Sequence, residues 1–112
     1  MYTDSILDSI KKMLGIIPEY DIFDEDIIMH INSVFFVLQQ LGVGPEDGFK
    51  ISGDSDTWGD FMPDDLNVES IKSYIYLKVR LLFDPPLNSA VIESINRQIS
   101  ELEWRLNVQV DE

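Results

Sequence analysis

Residues 71–86 read IKSYIYLKVRLLFDPP, and the fold turns on how this stretch is read. Apolar residues recur at Ile71, Tyr74, Ile75, Val79 and Leu82, the three-and-four spacing of a helix face. Tyr76, Leu77, Leu81 and Phe83 fill much of the remaining circumference. A helix apolar nearly all round is covered on several sides, which makes this the central helix of a small all-α domain. Lys72, Lys78 and Arg80 can carry their charges to water on long stems. Pro85 and Pro86 end the helix, because proline lacks the N–H and drives Asp84 out of the α region.

Working outward, Ile6, Leu7, Ile10, Met13 and Leu14 form the apolar face of a short first helix, with Thr3 or Asp4 as N-cap and Gly15 as its stop. Its shortness suggests a lid or docking helix more than a core member. The segment PEYDIFDED follows, with acids gathered before a second apolar run, so that Asp21 could cap and Asp24 answer it. A divalent-cation site is the alternative reading of those acids, and helix starts collect acids without any metal. The second helix carries Ile27, Ile28, Ile31, Val34, Phe35, Leu38 and Leu41 on one face, and Gly42 closes it. His30 and Asn32 fall on its other side. A single histidine with no cysteine in the chain is poor material for a metal or catalytic site.

The helical period disappears between Gly42 and Asn67. Phe49-Lys50-Ile51 suits a short strand or extended arm. Trp58, Phe61 and Met62 either tuck back onto the helices or sit at an interface, where tryptophan is enriched. Residues 54–65 brush against the calcium-loop template. Trp58 and Pro63 stand where it needs other residues, and no helix precedes it, so it is rejected as an EF-hand. Asn67 is a suitable N-cap for the central helix. After the proline break, Asn88 or Ser89 caps a last helix with Ile92, Ile95, Ile99, Leu102 and Leu106 in a heptad seam. Two acid-first pairs, Glu93 with Arg97 and Glu101 with Arg105, stand four apart on it.

The expected fold is therefore all-α, a bundle of about four helices near 4–14, 23–41, 67–83 and 88–107. It is one domain spanning 1–112, with 43–66 as an inserted irregular loop that could hold a short hairpin, and 108–112 as a tail. The expected core is Ile31, Val34, Phe35, Leu38, Ile75, Val79, Leu82, Ile95, Ile99 and Leu102.

The net charge of −13, from 21 acids and eight basic residues, is the compositional outlier. It argues against wrapping nucleic acid, which needs clustered cations to displace counterions. With 45% apolar residues, general disorder is excluded, and the absence of cysteine excludes disulfides and thiolate metal sites. No apolar run approaches the roughly 20 residues of a membrane span, and the acidic start is unlike a secretory signal, so a soluble intracellular protein is expected. No nucleophile–histidine pairing, phosphate-cradling glycine loop or metal-spaced cluster is present, so neither an enzyme nor a cofactor is expected.

The order of features resembles the head–tail connector (head-completion adaptor) family of tailed bacteriophages. That order is a short amphipathic helix, a second helix, a Gly-rich aromatic loop containing Trp58-Gly59-Asp60, an apolar helix leading into LLFDPP, and a closing ISELEWRL helix. The likeness is sharpest over Val79 to Pro86 and Ile99 to Leu106. The resemblance implies a non-enzymatic virion protein at the head–tail junction, assembled in the bacterial cytoplasm. It implies self-association into a ring of about twelve copies. It also implies contacts with the portal protein and a tail-side connector or stopper, and DNA passing through without specific binding. An acidic DNA-mimic inhibitor and a small helical dimerisation module are the rival readings.

Surplus apolar surface points to Trp58, Phe61, Tyr76, Leu81, Phe83 and Trp104, with Arg105, as interface residues. The loop acids Asp54, Asp56, Asp60, Asp64 and Asp65 are candidates to face a channel or a docking partner, since no basic residue interrupts them between Lys50 and Lys72.

Overall fold

The computed structural model describes residues 4–61 and 68–111. Five helices follow in order: α1 (Ile6–Met13), α2 (Asp24–Gln40), α3 (Trp58–Phe61), α4 (Val68–Phe83) and α5 (Ser89–Asp111). Among the described residues no strand forms, and an isolated antiparallel bridge joins Ser5 to Thr57. The expected all-α bundle is the fold, with α3 as an additional short helix inside the connecting loop.

Local chemistry explains the ends. Ser5, not Thr3 or Asp4, caps α1, its side chain accepting from the Asp8 N–H at 3.2 Å. Position 3 lies outside the described residues. Gly15 at φ +84 lets the Gly15 and Ile16 N–H groups return to the Lys12 and Lys11 carbonyls. Gly42 at φ +82 does the same with the Gly42 and Val43 N–H groups on Gln39 and Leu38. Both are Schellman stops, which need a residue free to turn left-handed.

Phe23, not Asp21, occupies the N-cap of α2, and no side chain caps it. Asp24, Glu25 and Asp26 in the first turn answer the helix dipole instead. Asn88 caps α5 through its side-chain oxygen, which accepts from the Ala90 N–H at 2.8 Å. The proposed Asn67 cap of α4 lies outside the described residues. α5 continues to Asp111, so the expected tail from 108 is helical over 108–111. No glycine or proline in that stretch breaks the turn already running.

α4 sits in the middle, packed against α2, α5 and α1. Ile71, Tyr74, Ile75 and Val79 are fully buried on it. The buried row continues in steps of four from Ile71 through Ile75 and Val79 to the half-buried Phe83. Leu82, expected in the core, stands about 100° round the helix from Phe83 and is 55% exposed. The remaining expected core residues are buried, apart from Leu102, which is half-buried against the cluster.

α1 is a core element, which overturns the lid expectation. Ile6, Leu7 and Ile10 lose all or nearly all contact with solvent. Eight residues suffice because α4 has a side that α2 and α5 leave for α1 to cover. Lys11, at 1% exposure, is also buried. Its Nζ donates to the Pro18 carbonyl at 2.9 Å and stands 2.8 Å from Asp24 Oδ1. This ion pair ties the end of α1 to the start of α2.

The loop is built into the core as well. Asn32 takes the place of a partner strand for Ile51. Its amide donates to the Ile51 carbonyl at 3.0 Å, and its oxygen accepts from the Ile51 N–H at 2.8 Å. Of the two readings of 49–51, short strand or extended arm, the structure has the second, an extended segment bonded by a side chain. Phe35, Phe49 and Phe61 stack with ring centroids 4.7 to 5.3 Å apart. Backbone bonds from Ile6 N to Asp56 O and from Trp58 N to Asp4 O fasten the loop to α1. Thr57 and Asp60 make a capping box for α3, each side chain accepting from the other's backbone N–H. Asp56 Oδ2 accepts from the Ser52 N–H at 2.7 Å and the Gly53 N–H at 3.3 Å.

Two stability predictions follow from this loop. Trp58→Ala removes a fully buried indole and should cost about 3–5 kcal/mol; urea denaturation should show the midpoint falling with the slope unchanged. Asp60→Ala should cost about 1 kcal/mol by removing one arm of the capping box, as read by the same urea unfolding. An unchanged midpoint for Asp60→Ala would mean the box contributes nothing.

Candidate protein-interaction site

The surplus apolar residues divide into two groups. Trp58 is at 0% exposure, its Nε1–H donates to Ser9 Oγ at 3.1 Å, and Lys72 Nζ lies 5.4 Å from its ring centroid. Phe61 is buried with Phe35 and Phe49. Of the two readings of these loop aromatics, the interface assignment fails and the one that tucks them back onto the helices holds, since both are interior. A long loop folded back on the helices satisfies the indole N–H and covers the rings within one chain.

Tyr76, Leu81 and Phe83 are half-buried and pack against the core cluster. The Tyr76 hydroxyl accepts from Arg80 at 3.3 Å. Phe83 and Phe23 meet in a T-shaped arrangement with centroids 5.3 Å apart, and the His30 ring lies 6.5 Å from Phe83.

Trp104 belongs to the other group. It is 67% exposed on α5, a helix whose buried side chains among those described are Ile95, Ile99 and Leu106 in one narrow row. Arg105 beside it is exposed and holds Glu101 through a 2.6 Å ion pair. α5 is fixed to α4 by Glu103, whose carboxylate accepts from the Tyr74 hydroxyl at 2.7 Å and lies 3.8 Å from Lys78. Burial, and then the Glu103 carboxylate, push the Tyr74 hydroxyl above its ordinary pKa, so it stays a donor. The last helix is thereby anchored while its outer face stays open.

A second open apolar surface was missed in the sequence reading. The connector between α1 and α2 exposes Ile17, Tyr20, Ile22 and Phe23, and Tyr20 meets Phe23 at a centroid distance of 5.9 Å. The signal was available: these residues match no helix period, and a connector has no obvious partner for them.

The candidate acids have different tasks. Asp54 is exposed, Asp56 and Asp60 hold the loop in shape, and Asp64 and Asp65 lie outside the described residues. Among the described residues no group of three or more His, Asp or Glu could hold a metal ion. The shallow cleft beside Asn32, Phe36 and Phe49 encloses about 190 Å³, below the several hundred Å³ usual for a small-molecule site. A larger one of about 330 Å³ mixes Asp4, Lys12, Glu69 and Lys72, so charges of both signs offset each other.

The acid crowding also has a titration signature. Asp8 is held above its ordinary carboxylate value by desolvation first and by Asp54 next, with Asp24 and Glu19 adding to Asp54 and Lys11 opposing. A carboxylate raised on folding destabilises the fold above its folded pKa, and the penalty vanishes below the unfolded value of about 3.9. Asp8→Asn should therefore be slightly more stable than the parent at neutral pH. The gap should close as pH falls through the raised value, as read by urea unfolding at neutral and acid pH. A gap that widens on acidification would reverse the assignment.

No match accompanies this chain among curated proteins or among solved structures. No described helix is long and apolar enough to cross a membrane. A family model described as phage connector protein matches residues 6–112. With that model spanning nearly the whole helical bundle, the chain belongs to the phage connector proteins, a structural family of the virion.

Proposed function

We propose that this chain is a head–tail connector subunit that binds beneath the portal, continues its DNA channel and presents the surface on which the tail-side connector or stopper docks. Family membership supports the setting. The observation that carries the reading is the outer face of α5, where Trp104 stands 67% exposed on a helix anchored along its other side. Large exposed aromatics on a small protein mark contact sites, and Trp and Arg are the types most enriched among interface hot spots.

The subunits associate into a ring, of about twelve copies by the family resemblance. The net charge of −13 then serves a channel that lets DNA slide, because acidic walls repel the phosphate backbone instead of holding it. Asp54, exposed on the loop, is one of the acids assigned to the channel or the docking partner, with Asp64 and Asp65. Assembly takes place in the host cytoplasm, before the tail joins the filled head.

Trp104→Ala tests this directly. The variant should keep its helical signal and its unfolding midpoint, because the side chain it loses is mostly in solvent. It should fail to assemble or to join portal-bearing heads, leaving filled heads without tails, at a cost of about 2 kcal/mol or more in the contact. If tails join at the normal rate, α5 is not the contact surface. If the variant unfolds, Trp104 belongs to the core.

A further inference from the structure

The α1–α2 connector puts large apolar side chains into water and holds them there. Ile17 and Ile22 are 65% and 68% exposed, and Tyr20 and Phe23 are open beside them. Phe23 continues the surface to Phe83 on α4. The backbone beneath is fixed at three points. The Tyr20 N–H donates to the Ile17 carbonyl at 3.1 Å, and the Asp24 N–H to the Asp21 carbonyl at 3.2 Å. The buried Lys11 ammonium holds the Pro18 carbonyl at 2.9 Å. A surface ordered in advance gives up little conformational freedom on binding.

The patch is rimmed by one sign of charge. Glu19, Asp21, Glu25 and Asp26 are all exposed. The helix dipole accounts for Glu25 and Asp26, in the first turn of α2. It accounts neither for Glu19 and Asp21, which precede the helix, nor for the isoleucines and aromatics among them.

The neighbouring cations do not offset these acids. Lys11 is buried on Asp24 at 2.8 Å, which takes the nearest ammonium off the surface. Lys12 lines the cleft with Glu69 and Lys72, and Lys72 stands eleven residues before Phe83, about 16 Å along α4. Arg80, one turn before Phe83, donates back to the Tyr76 hydroxyl at 3.3 Å. Because Glu103 meets Tyr74 and Lys78, Arg97 six residues earlier lies toward the Phe83 end of the bundle. There the exposed Glu93, one turn before it on α5, offsets its charge.

Covering such a patch takes a counter-surface that brings apolar area and positive charge together. A second copy, at net −13, brings the wrong charge, and so do nucleic acid and anionic lipid. Lysine and arginine interleaved with leucine, isoleucine or aromatic residues supply both. Their stems cover Ile17 and Ile22, while their head groups pair with the rim or stand over the Tyr20 and Phe23 rings.

We propose that the α1–α2 connector is a docking surface for a basic, amphipathic segment of another protein. It is a contact separate from the outer face of α5, and it holds whether or not that face receives the tail.

The test uses the full chain and a synthetic amphipathic peptide of leucine and lysine, followed through amide chemical shifts. Two control peptides each keep half of the chemistry, one with serine for leucine and one with glutamate for lysine. The leucine–lysine peptide should shift the amides of residues 17–26 and Phe83, and bind about tenfold more tightly than either control. Ile22→Asp should weaken it by about tenfold. Glu25→Lys with Asp26→Lys should weaken it more than Glu46→Lys with Asp47→Lys. The second pair makes the same change in net charge at exposed positions beyond the other end of α2. Circular dichroism checks that each variant is folded, and Ile17→Asp replaces Ile22→Asp if that one is not. Equal affinity for the serine peptide would reduce the effect to bulk charge, and equal affinity for the glutamate peptide would remove the role of charge. Either overturns the proposal, as do shifts centred on another surface or no binding up to about a millimolar. Shifts of the same amides on concentrating the chain alone would give the patch to a second copy and overturn it as well.

Discussion

The constraint on which the structure depends is the enclosure of α4. A sixteen-residue helix with apolar side chains on most of its circumference cannot stand at a surface. α2 supplies one wall, α5 a second and α1 a third. That need gives the short first helix its place in the core and explains why Ile6, Leu7 and Ile10 are sealed from water. It also sets where coverage ends. Leu82 and Phe83 lie at the last turn, where the enclosing helices thin out, and one of them is left open while the other leans on Phe23.

Polar groups hold the covering pieces in register. Lys11 and Asp24 lock the α1–α2 connection, with the Pro18 carbonyl satisfying a second proton of the ammonium. Asp24 Oδ1 is buried with no aligned hydrogen bond of its own, so the charge of Lys11 is what answers it. Losing either partner would strand a charge in the interior. Asn32 supplies Ile51 with the two bonds a neighbouring strand would have made. The 41–61 loop is thereby part of the domain rather than an appendage, which matches its contribution of Val43, Ile51, Trp58 and Phe61 to the core.

Once the interior is assigned, what remains outside has a clear division. Acids dominate the connector and the loop, while the exposed aromatic on the last helix is accompanied by arginine. A protein of net charge −13 cannot associate through its average surface, because two copies repel. Association has to use the places where apolar area outweighs charge, or where the few exposed cations stand. Exposed apolar side chains stand on α5, at Trp104, and on the α1–α2 connector, at Ile17, Tyr20 and Ile22. Membership of a structural phage family fits a molecule whose distinctive features are surfaces rather than a cleft.

The sequence by itself determined α1, α2, α4 and α5, because their signals are local. The three-and-four periodicity, the glycines at 15 and 42, Asn88 at the start of α5 and the proline pair after Phe83 act over a few residues each. The narrow seam of α5 and the openness of Trp104 were legible for the same reason, since a heptad row leaves the rest of the helix uncovered. Tertiary structure alone decided the rest. Whether Trp58 lies at an interface or in the core depends on Ser9, some fifty residues earlier in the chain. Whether Lys11 is a surface cation or a buried one depends on Asp24 and on how the connector folds over it. Asp56 and Asp60 read as free loop charges until the backbone N–H groups they hold are seen. The patch of Tyr20, Phe23 and Phe83 joins two segments sixty residues apart. Periodicity records which way a side chain points on its own helix, but not what another part of the chain brings to meet it.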